Sequence, residues 1–311
     1  MITKSPVKVL NHYEQLTFTN SARIAFKLLL KHLKFKNEEK ILLPAYIGIT
    51  DREGSGVIDP IQSLSIKYEF YSINNNFKID CEEIESRLKT KQYKALLIIH
   101  YFGFVHCNMQ LVKTICEKHN VVLIEDCAHS FNSYHRDRKL GDFGDFSFFS
   151  IHKFFALENG GYLKNNTNDC INEELENHDK IKSETLESVF KGKLNMISEI
   201  RVKNYNYLNE KLSSISEVEV LFPKIEDGIV PMNFPILLPE NIREKLYFYL
   251  MEIQIPTIAL YYRLIEDIKM EEFAYSHYLS QNILNLPIHQ SISFDDIDFI
   301  VGQIVLFFKS N

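Results

Sequence analysis

The stretch VVLIEDCAHSFNSYHRDRKLGDFGDFSFFSIHKFFALENGG, which runs from Val121 to Gly161, decides the fold of this 311-residue chain. Four apolar residues open the stretch and end at Glu125 and Asp126, as is typical of a strand that is buried on both faces. A second strand-like run, residues 143–151, ends just before Lys153. In open parallel sheets, ligands bind beyond the carboxyl ends of the strands. The acids and the amine are therefore the first candidates for chemistry.

The chain upstream of this stretch alternates between apolar runs and amphipathic segments. Three runs predict strands and three segments predict helices. The strands cover residues 41–43, 67–73 and 94–102, and the helices begin near Ser21, Ile79 and Asn108. Strands that alternate with helices of about ten residues or more indicate a mainly parallel sheet covered on both faces. We therefore predict an α/β fold.

The character of the sequence changes after the quoted stretch. Residues 164–183 are polar and rich in asparagine, which indicates an exposed excursion. A long helix to about Leu212 follows, and then shorter elements, with a strand near residues 256–260 and an irregular stretch after it. The sequence thus predicts a large domain over residues 1–184 and a smaller α+β domain over residues 185–311.

Composition and charge narrow the class of protein. The net charge is −6 and the sequence pI is near 6.0, which gives no electrostatic reason to expect nucleic acid or an anionic membrane as a partner. Neither a secretory signal pattern nor an apolar run of about 18 residues is visible, so we expect a cytoplasmic protein. The five cysteines form no CxxC pair and no zinc-ligand spacing, which favours reduced thiols and no metal site.

An amine beyond one strand and a carboxylate beyond its neighbour allow several kinds of chemistry. Lys153 could form a Schiff base, because a partly desolvated lysine loses its proton and attacks carbonyl groups. Asp126 could pair with a cationic ring nitrogen. The helix start at residues 21–23 and the hydroxyl of Ser150 could hold a phosphate. Together these parts meet the needs of a site for pyridoxal 5′-phosphate (PLP).

Each part taken alone also has a plainer explanation. A lysine after a strand is usually solvated, and an aspartate at a strand end commonly forms a cap or a turn. The helix start near Ser21 fits an ordinary capped helix, and His129 fits a hydrogen-bonded structural histidine. The residues by themselves leave both interpretations open.

Six segments, which follow one another between residues 20 and 161, favour the PLP interpretation. They are NSARIAF (residues 20–26), LLPAYIG (42–48), IIHYFGF (98–104), IEDCAHSF (124–131), GDFGDFSFFSIHK (141–153) and ENGG (158–161). In these segments the chain resembles the DegT/StrS family of PLP-dependent sugar aminotransferases, which share the fold-type I aminotransferase architecture. The resemblance is closest to a shorter branch of the family, in which the lysine lies in an S-x-x-K turn.

The resemblance implies a role for each matched residue around the cofactor. Lys153 would form the Schiff base and carry a proton between substrate and cofactor, and Asp126 would bind the pyridine nitrogen. His129 would lie near the phenolic oxygen, and Tyr46 would cover the ring. The residues implied as phosphate ligands are Ser21, Ala22, Arg23 and Ser150.

The implied reaction is transamination. Glutamate would donate an amino group to PLP, and the keto group of a nucleotide-linked sugar would then accept it, for polysaccharide or glycoside biosynthesis. The resemblance also implies a homodimer in which the partner subunit completes the site. Two alternatives stay open. One is a PLP-dependent sugar dehydratase, because His152 precedes Lys153 and some relatives carry histidine in place of the lysine. The other is a silent family member that acts as a binding or scaffold subunit.

Overall fold

A seven-stranded sheet forms the centre of the first half of the chain, in a computed structural model that describes residues 15–74, 77–155, 157–182, 185 and 193–310. The strands of this half are, in chain order, β1 (Leu16–Thr19), β2 (Lys40–Pro44), β3 (Lys67–Tyr71), β4 (Tyr93–Ile99), β5 (Val122–Asp126), β6 (Tyr134–His135), β7 (Arg138–Lys139), β8 (Phe146–Ser150) and β9 (Gly161–Asn165). The short strands β6 and β7 pair with each other, and the others form the sheet in the order β1-β9-β8-β5-β4-β2-β3.

Most neighbours in this sheet are parallel. Strands β8, β5, β4, β2 and β3 run in one direction, whereas β9 and β1 pair antiparallel along one edge. The predicted α/β class with a mainly parallel sheet is therefore confirmed. Because parallel strands end at the same edge of a sheet, the last residues of β4, β5 and β8 are neighbours there. These residues are Ile99, Asp126 and Ser150.

Four helices lie between the strands of this half, and three of them have a side-chain cap at the start. They are α1 (Ala22–Leu33), α2 (Ile58–Ser63), α3 (Cys81–Leu88) and α4 (Met109–His119). The side chains of Ser21, Asp80 and Asn108 accept backbone N–H groups at the starts of α1, α3 and α4. Asn120 ends α4 in the left-handed conformation. These caps fix where each helix begins or ends, and α1 packs against β8 and β9.

The second half of the chain packs helices on a small antiparallel sheet. Its elements are α5 (Leu194–Leu212), β10 (Glu219–Val220), β11 (Phe234–Leu237), α6 (Arg243–Glu252), α7 (Ala274–Asn282), β12 (Ile283–Leu286) and α8 (Phe294–Ser310). The strands lie in the order β10-β11-β12, and both α5 and α6 contact α8. The predicted domain boundary after residue 184 falls outside the described residues and stays a prediction. Among the described residues, no helix is long and apolar enough to cross a lipid bilayer.

Two predictions for this half are wrong. Residues 256–260 form no strand, and Ile258 makes only an isolated bridge with Asn285. The chain turns at Tyr261, whose φ is 55°, and the pairing therefore does not continue. The stretch after residue 260, which the sequence predicts to be irregular, contains α7 and β12. Since α7 has the sequence AYSHYLSQN, without a clear apolar stripe, its pattern gives little helical signal.

Candidate active site

A cleft of about 1350 Å³ opens at the carboxyl ends of β4, β5 and β8. It is lined by the ends of these strands, by the start of α1, by the loop of residues 48–57, and by parts of α6 and the segment 257–262. Seven of the eight site residues predicted from the sequence lie in it, namely Ser21, Ala22, Arg23, Asp126, His129, Ser150 and Lys153. The fold thus brings together residues that are up to 132 positions apart, since Lys153 and Ser21 line the same space.

Asp126 is the buried acid of the cleft. It lies at the end of β5 and is 6 % exposed, and its carboxylate accepts a hydrogen bond of 2.9 Å from the backbone N–H of Ala128. Burial raises the pKa of Asp126 to about 6, although the Ala128 N–H and the nearby Lys153 oppose the shift. Within the described parts of the chain, Asp126 forms no ion pair. Because a buried carboxylate is stabilised by a cationic partner, Asp126 is suited to bind a positively charged group of a ligand.

Glu125 precedes Asp126 but has a structural environment, since successive strand residues point to opposite faces of a sheet. Its fully buried carboxylate accepts hydrogen bonds of 2.6–2.9 Å from three backbone N–H groups of the loop 141–144 and from His100. Burial alone would raise the pKa of Glu125, but His100 and the backbone donors outweigh it and lower the pKa. Together with Cys127, His100 and Glu125 have the residue types of a metal site. Because the carboxylate is already saturated with donors, we assign this cluster to holding the loop.

Lys153 follows β8 and has surface that is accessible from the cleft, while protein atoms surround it on its other sides. This burial lowers the pKa of Lys153, and the carboxylates of Asp126 and Glu53 partly offset the effect. No ion pair joins Lys153 to either acid in the part of the chain that the structure describes. A lysine in such an environment loses its proton readily and becomes a nucleophile toward carbonyl groups.

Two side chains of the C-terminal half hold the backbone of the Lys153 turn. Arg201 of α5 donates to the carbonyls of Lys153 at 3.4 Å and Met232 at 2.6 Å, and Gln290 donates to the carbonyl of Phe154 at 3.0 Å. The Arg201 guanidinium also lies 4.8 Å from the centre of the Phe154 ring. Arg201 is 2 % exposed and has no acidic partner among the described residues, and burial lowers its pKa to about 10. Since a buried cation without an acid is costly, its contacts indicate that it serves to hold this turn.

Replacing Arg201 by lysine tests the role of this side chain. A lysine side chain is shorter and ends in a single ammonium group, so it cannot donate to the carbonyls of both Lys153 and Met232. One buried carbonyl therefore loses its donor. We expect the free energy of unfolding, measured by urea denaturation of the full-length protein, to fall by about 1–3 kcal/mol. Arg87→Lys, at a partly exposed arginine that pairs with Glu83, is the control and should change it by less than about 0.5 kcal/mol. An unchanged stability in Arg201→Lys would contradict the assigned role.

The start of α1 offers two backbone donors that the helix does not use. The side chain of Ser21 accepts the N–H of Ile24 at 3.3 Å, and its carbonyl accepts the N–H of Ala25 at 3.1 Å. The N–H groups of Ala22 and Arg23 cannot find a partner inside the helix, and neither donates a hydrogen bond to another backbone group among the described residues. Two free N–H groups at a positive helix end form a site for an anion.

Gly161 allows this helix start to approach the end of β8. A Cβ atom at Gly161 would lie 2.4 Å from the backbone nitrogen of Ala22, which no side chain tolerates, and Gly161 pairs with Ser150 across the sheet. Close by, Nδ1 of His152 lies 3.3 Å from the Ser150 Oγ and 3.4 Å from the carbonyl oxygen of Gly160. Because a carbonyl only accepts, Nδ1 carries the proton and the Ser150 oxygen accepts as well. The hydroxyl hydrogen of Ser150 is thereby left for an acceptor in the cleft.

His129 is a neutral histidine whose tautomer follows from its contacts. It is 4 % exposed, and burial, with a smaller effect from Lys153, lowers its pKa well below the usual value. Its Nδ1 accepts a hydrogen bond of 3.3 Å from the backbone N–H of Phe102. The proton of the neutral ring therefore lies on Nε2. This makes His129 a hydrogen-bond donor for a ligand in the cleft.

The structure does not bring Tyr46, the eighth predicted residue, to the surface of the cleft. Tyr46 is fully buried, and its hydroxyl donates to the carbonyl of Leu260 at 3.0 Å. The ring of Tyr261 packs 5.2 Å from the Tyr46 ring and lines the cleft itself. A Cβ atom at Gly48 would lie 2.3 Å from Tyr261 Cδ1, so this packing requires the glycine. We therefore correct the assignment of the aromatic ring from Tyr46 to Tyr261, whose role toward a cofactor stays a prediction.

Sequence reasoning missed several cleft residues that lie outside the matched motifs. They are Arg52, Glu53, Arg243, Phe248, Thr257, Tyr261 and Tyr262. The position of the first two, shortly after the matched segment LLPAYIG, is a signal that could have drawn attention to them. The others reach the cleft through the packing of the C-terminal half, for which the local sequence carries no signal.

Comparison with known proteins decides the family. Residues 10–187, more than half of the chain, match the sequence profile of the DegT/DnrJ/EryC1/StrS aminotransferase family. The chain belongs to this family. The predicted membership is thus confirmed, and PLP is the cofactor on which DegT family aminotransferases depend.

Relatives of this DegT family chain align over most of its length. The dTDP-3-amino-3,6-dideoxy-α-D-galactopyranose transaminase of Aneurinibacillus thermoaerophilus is 25 % identical over 258 residues, 74 % of this chain and 69 % of the relative. The UDP-4-amino-4,6-dideoxy-N-acetyl-β-L-altrosamine transaminase of Campylobacter jejuni is 24 % identical over 318 residues, 90 % of this chain and 82 % of the relative. A Streptococcus pneumoniae protein described as a sugar aminotransferase, solved in its PLP form, matches with a TM-score of 0.79 and 17 % identity over 94 % of this chain and 87 % of that one. The structural match confirms the aminotransferase fold that the resemblance implies.

Proposed function

We propose that this chain is a PLP-dependent aminotransferase that moves an amino group onto the keto group of a nucleotide-linked sugar. The observation that carries the proposal is the presence, in one cleft, of a buried acid that has no cationic partner among the described residues and a lysine with a lowered pKa. These are Asp126 and Lys153. An acid for a ring nitrogen and a lysine for an aldehyde are the two groups that PLP chemistry requires of a protein.

The other groups of the cleft fit PLP by their chemistry. PLP has a basic ring nitrogen, a phenolic oxygen, a phosphate and an aldehyde carbon. Asp126 would bind the nitrogen, and Nε2–H of His129 would donate to the phenolic oxygen. The free N–H groups at residues 21–23 and the hydroxyl of Ser150 would hold the phosphate, and Lys153 would hold the aldehyde carbon. Each of these groups has a hydrogen, a lone pair or a charge that no neighbour within the described ranges satisfies.

The residues of the chain would then perform distinct tasks. When bound, PLP supplies an electron sink for the carbon that loses a proton. Asp126 stays ionised beside a cationic ring nitrogen, because pairing with a positive charge lowers the pKa of a buried carboxylate. Lys153 in its neutral form would accept a proton at the reacting carbon and return it, and its lowered pKa favours the neutral form.

The relatives and the size of the cleft support the substrate class. Two relatives are named as transaminases of dTDP-linked and UDP-linked sugars. The cleft volume of about 1350 Å³ exceeds the roughly 300–1,000 Å³ that is usual for a single small molecule, so cofactor and sugar fit together. We infer glutamate as the amino donor, a homodimer as the assembly, and polysaccharide or glycoside biosynthesis as the use of the product, which the resemblance of the sequence to the family supports.

A half-reaction measurement tests the proposal. The PLP-loaded full-length protein is mixed with L-glutamate while its visible absorbance is followed. We expect the band of lysine-bound PLP to disappear as pyridoxamine phosphate forms. After removal of glutamate, one member of a panel of dTDP-, UDP- and GDP-linked keto-sugars should restore the band.

The same measurement separates the alternatives. If PLP gives no band that borohydride fixes on the protein, the chain is a silent family member. If the band forms but no amino acid converts it, transamination is excluded and the dehydratase alternative is favoured. Conversion by an amino acid other than glutamate would support transamination and identify a different amino donor.

A further inference from the structure

The last helix, α8, has an apolar side that no other part of the described chain covers. Its core side buries Ile297, Ile300, Ile304 and Phe307. The opposite side, which we call the outer stripe, carries the exposed residues 295, 299, 302, 306 and 309. Within the stripe Phe299 is 52 % and Leu306 is 51 % exposed, whereas a surface helix usually turns polar residues to water on this side. Clustered apolar side chains of this kind mark an interaction surface.

The spacing and the centre of the outer stripe fit contact with a second helix. Successive positions are four, three, four and three residues apart, which is the repeat that keeps one side of a helix facing a partner helix. The middle position is Gly302, and a Cβ atom there would have no neighbour within 4 Å. Packing within the chain therefore does not require this glycine, and glycine inside a helix lowers its stability. A glycine at this position favours close approach of another backbone.

Charges at the ends of the outer stripe indicate what the partner is. Asp295 lies in the first turn of α8 and Lys309 in the last, each seven residues from Gly302. Neither forms an ion pair with a described residue, in contrast to Asp298 of the same helix, which binds Lys211 at 2.9 Å. Two copies of α8 that cross antiparallel at Gly302 would place Asp295 of each copy opposite Lys309 of the other. In a parallel pair like charges would meet, so the stripe is complementary to itself only in the antiparallel direction.

We propose that the outer stripe binds a second copy of this chain through antiparallel pairing of the two α8 helices. A twofold axis passes through the contact between the two Gly302 residues. Phe299 and Leu306 lie on either side of this contact, so pairing removes four exposed apolar side chains from water. Asp295 and Lys309 form two ion pairs at the ends of the contact and set the direction of pairing.

This contact is separate from the active site. None of the described residues that line the cleft belongs to α8. The pairing therefore does not complete the cleft, and it does not rest on the proposed function. A chain that makes both this contact and the homodimer inferred for the active site forms a tetramer.

Sedimentation of the full-length protein over a range of concentrations tests the contact. We expect Leu306→Ala and Phe299→Ala each to raise the Kd of pairing about 100-fold, because the twofold axis makes each substitution count twice, at about 10-fold each time. At concentrations where the wild type is paired, both variants should therefore have half its mass. Leu111→Ala, at a leucine of α4 that is 45 % exposed, is the matched control and should keep the wild-type mass. Circular dichroism should show unchanged helix content in all three variants, because the replaced side chains are exposed.

Reversal of the end charges tests the antiparallel direction. Asp295→Lys alone and Lys309→Asp alone each place like charges opposite one another at both ends, and each should weaken pairing about 10-fold at low salt. The double variant Asp295→Lys/Lys309→Asp restores opposite charges and should pair nearly as tightly as the wild type. An equimolar mixture of the two single variants should form mixed pairs in preference to pairs of either variant alone.

The opposite results overturn the proposal. A wild type that does not associate would show that the outer stripe does not bind a second copy. A wild-type assembly whose mass is unchanged in both Leu306→Ala and Phe299→Ala would show that its copies meet elsewhere, for example at the active site. If the double charge variant pairs as weakly as the single variants, the antiparallel arrangement is wrong.

Discussion

Lys153→Ala is expected to abolish covalent retention of PLP and to lower amino transfer by about 10³-fold or more. In the proposed function, the change removes both the amine that would hold the aldehyde carbon and the base that would move the proton. Lys153 lines the cleft, and the carboxylates of Asp126 and Glu53 are the charges that act on it. The measurement is borohydride reduction of PLP-treated protein followed by mass spectrometry of the peptide that contains residue 153.

Lys139→Ala is the matched control for this experiment. Lys139 lies in β7 of the same stretch, burial lowers its pKa as it does that of Lys153, and it does not line the cleft. A mass increase at residue 153 should therefore persist in Lys139→Ala and be absent from Lys153→Ala. Reduced PLP found on Lys139, or full transfer by Lys153→Ala, would show that the lysine has been assigned wrongly.

Asp126→Asn is expected to act in opposite directions on activity and on stability. Loss of the charge that is proposed to face the ring nitrogen should lower the half-reaction rate by about 10²- to 10³-fold, the usual cost of one preorganised electrostatic contact. The cofactor-free protein should nevertheless become more stable at neutral pH. Asparagine keeps an oxygen that can accept the Ala128 N–H, but it carries no charge that burial must desolvate.

The sign of the stability effect follows from the raised pKa of Asp126. In the folded protein this pKa is about 6, against about 3.9 in the unfolded chain, so the folded state holds the proton more tightly between these values. The contribution of Asp126 to the free energy of unfolding therefore falls as pH rises from about 4 to about 6 and stays low above that. A difference of about two pKa units corresponds to roughly 3 kcal/mol, which Asp126→Asn should recover at pH 7 but not at pH 4.

Denaturation of the cofactor-free protein by urea between pH 4 and pH 8 measures this effect. Asp145→Asn serves as the control, because Asp145 is ion-paired with Lys113 at 2.5 Å and accepts the N–H of Leu123 at 2.8 Å. Removing that charge should destabilise the protein at pH 7. If Asp126→Asn destabilises the protein in the same way, Asp126 is a structural residue and its role toward the cofactor is refuted.

The meeting of Asp126, Lys153 and Ser21 in one cleft could be predicted from the sequence, whereas part of the cleft wall could not. Strand ends in a parallel sheet converge, so an apolar run that stops at Asp126 and another that stops before Lys153 place both residues at one edge. The cap at Ser21 is a local signal as well, and the structure confirms it. Alternation along a strand does not reveal whether Glu125 or Asp126 faces the cleft. This depends on the His100 side chain and the 141–144 loop, which bind Glu125.

The residues that sequence reasoning missed depend on contacts between distant parts of the chain. Tyr46 carries the aromatic side chain at the matched position, but the hydrogen bond of its hydroxyl to Leu260, 214 residues away, keeps it buried under Tyr261. Tyr261 itself stands in a stretch without a strand pattern and adopts a φ of 55°, which no propensity predicts for tyrosine. Exposed Phe248 on α6 looks like a core residue in the sequence, and only the position of the helix shows that it faces the cleft.

The hydrogen bonds that Arg201 and Gln290 donate to the Lys153 turn make this part of the cleft depend on the folding of the C-terminal half. The two side chains lie 48 and 136 residues after the backbone carbonyls that they hold. A growing chain can form the parallel sheet, place Asp126 and cap α1 long before Gln290 has been made. The lysine turn acquires its full set of backbone partners only after the C-terminal half has docked. If Lys153 binds the cofactor as proposed, the turn that presents it is complete only when both halves of the chain have folded together.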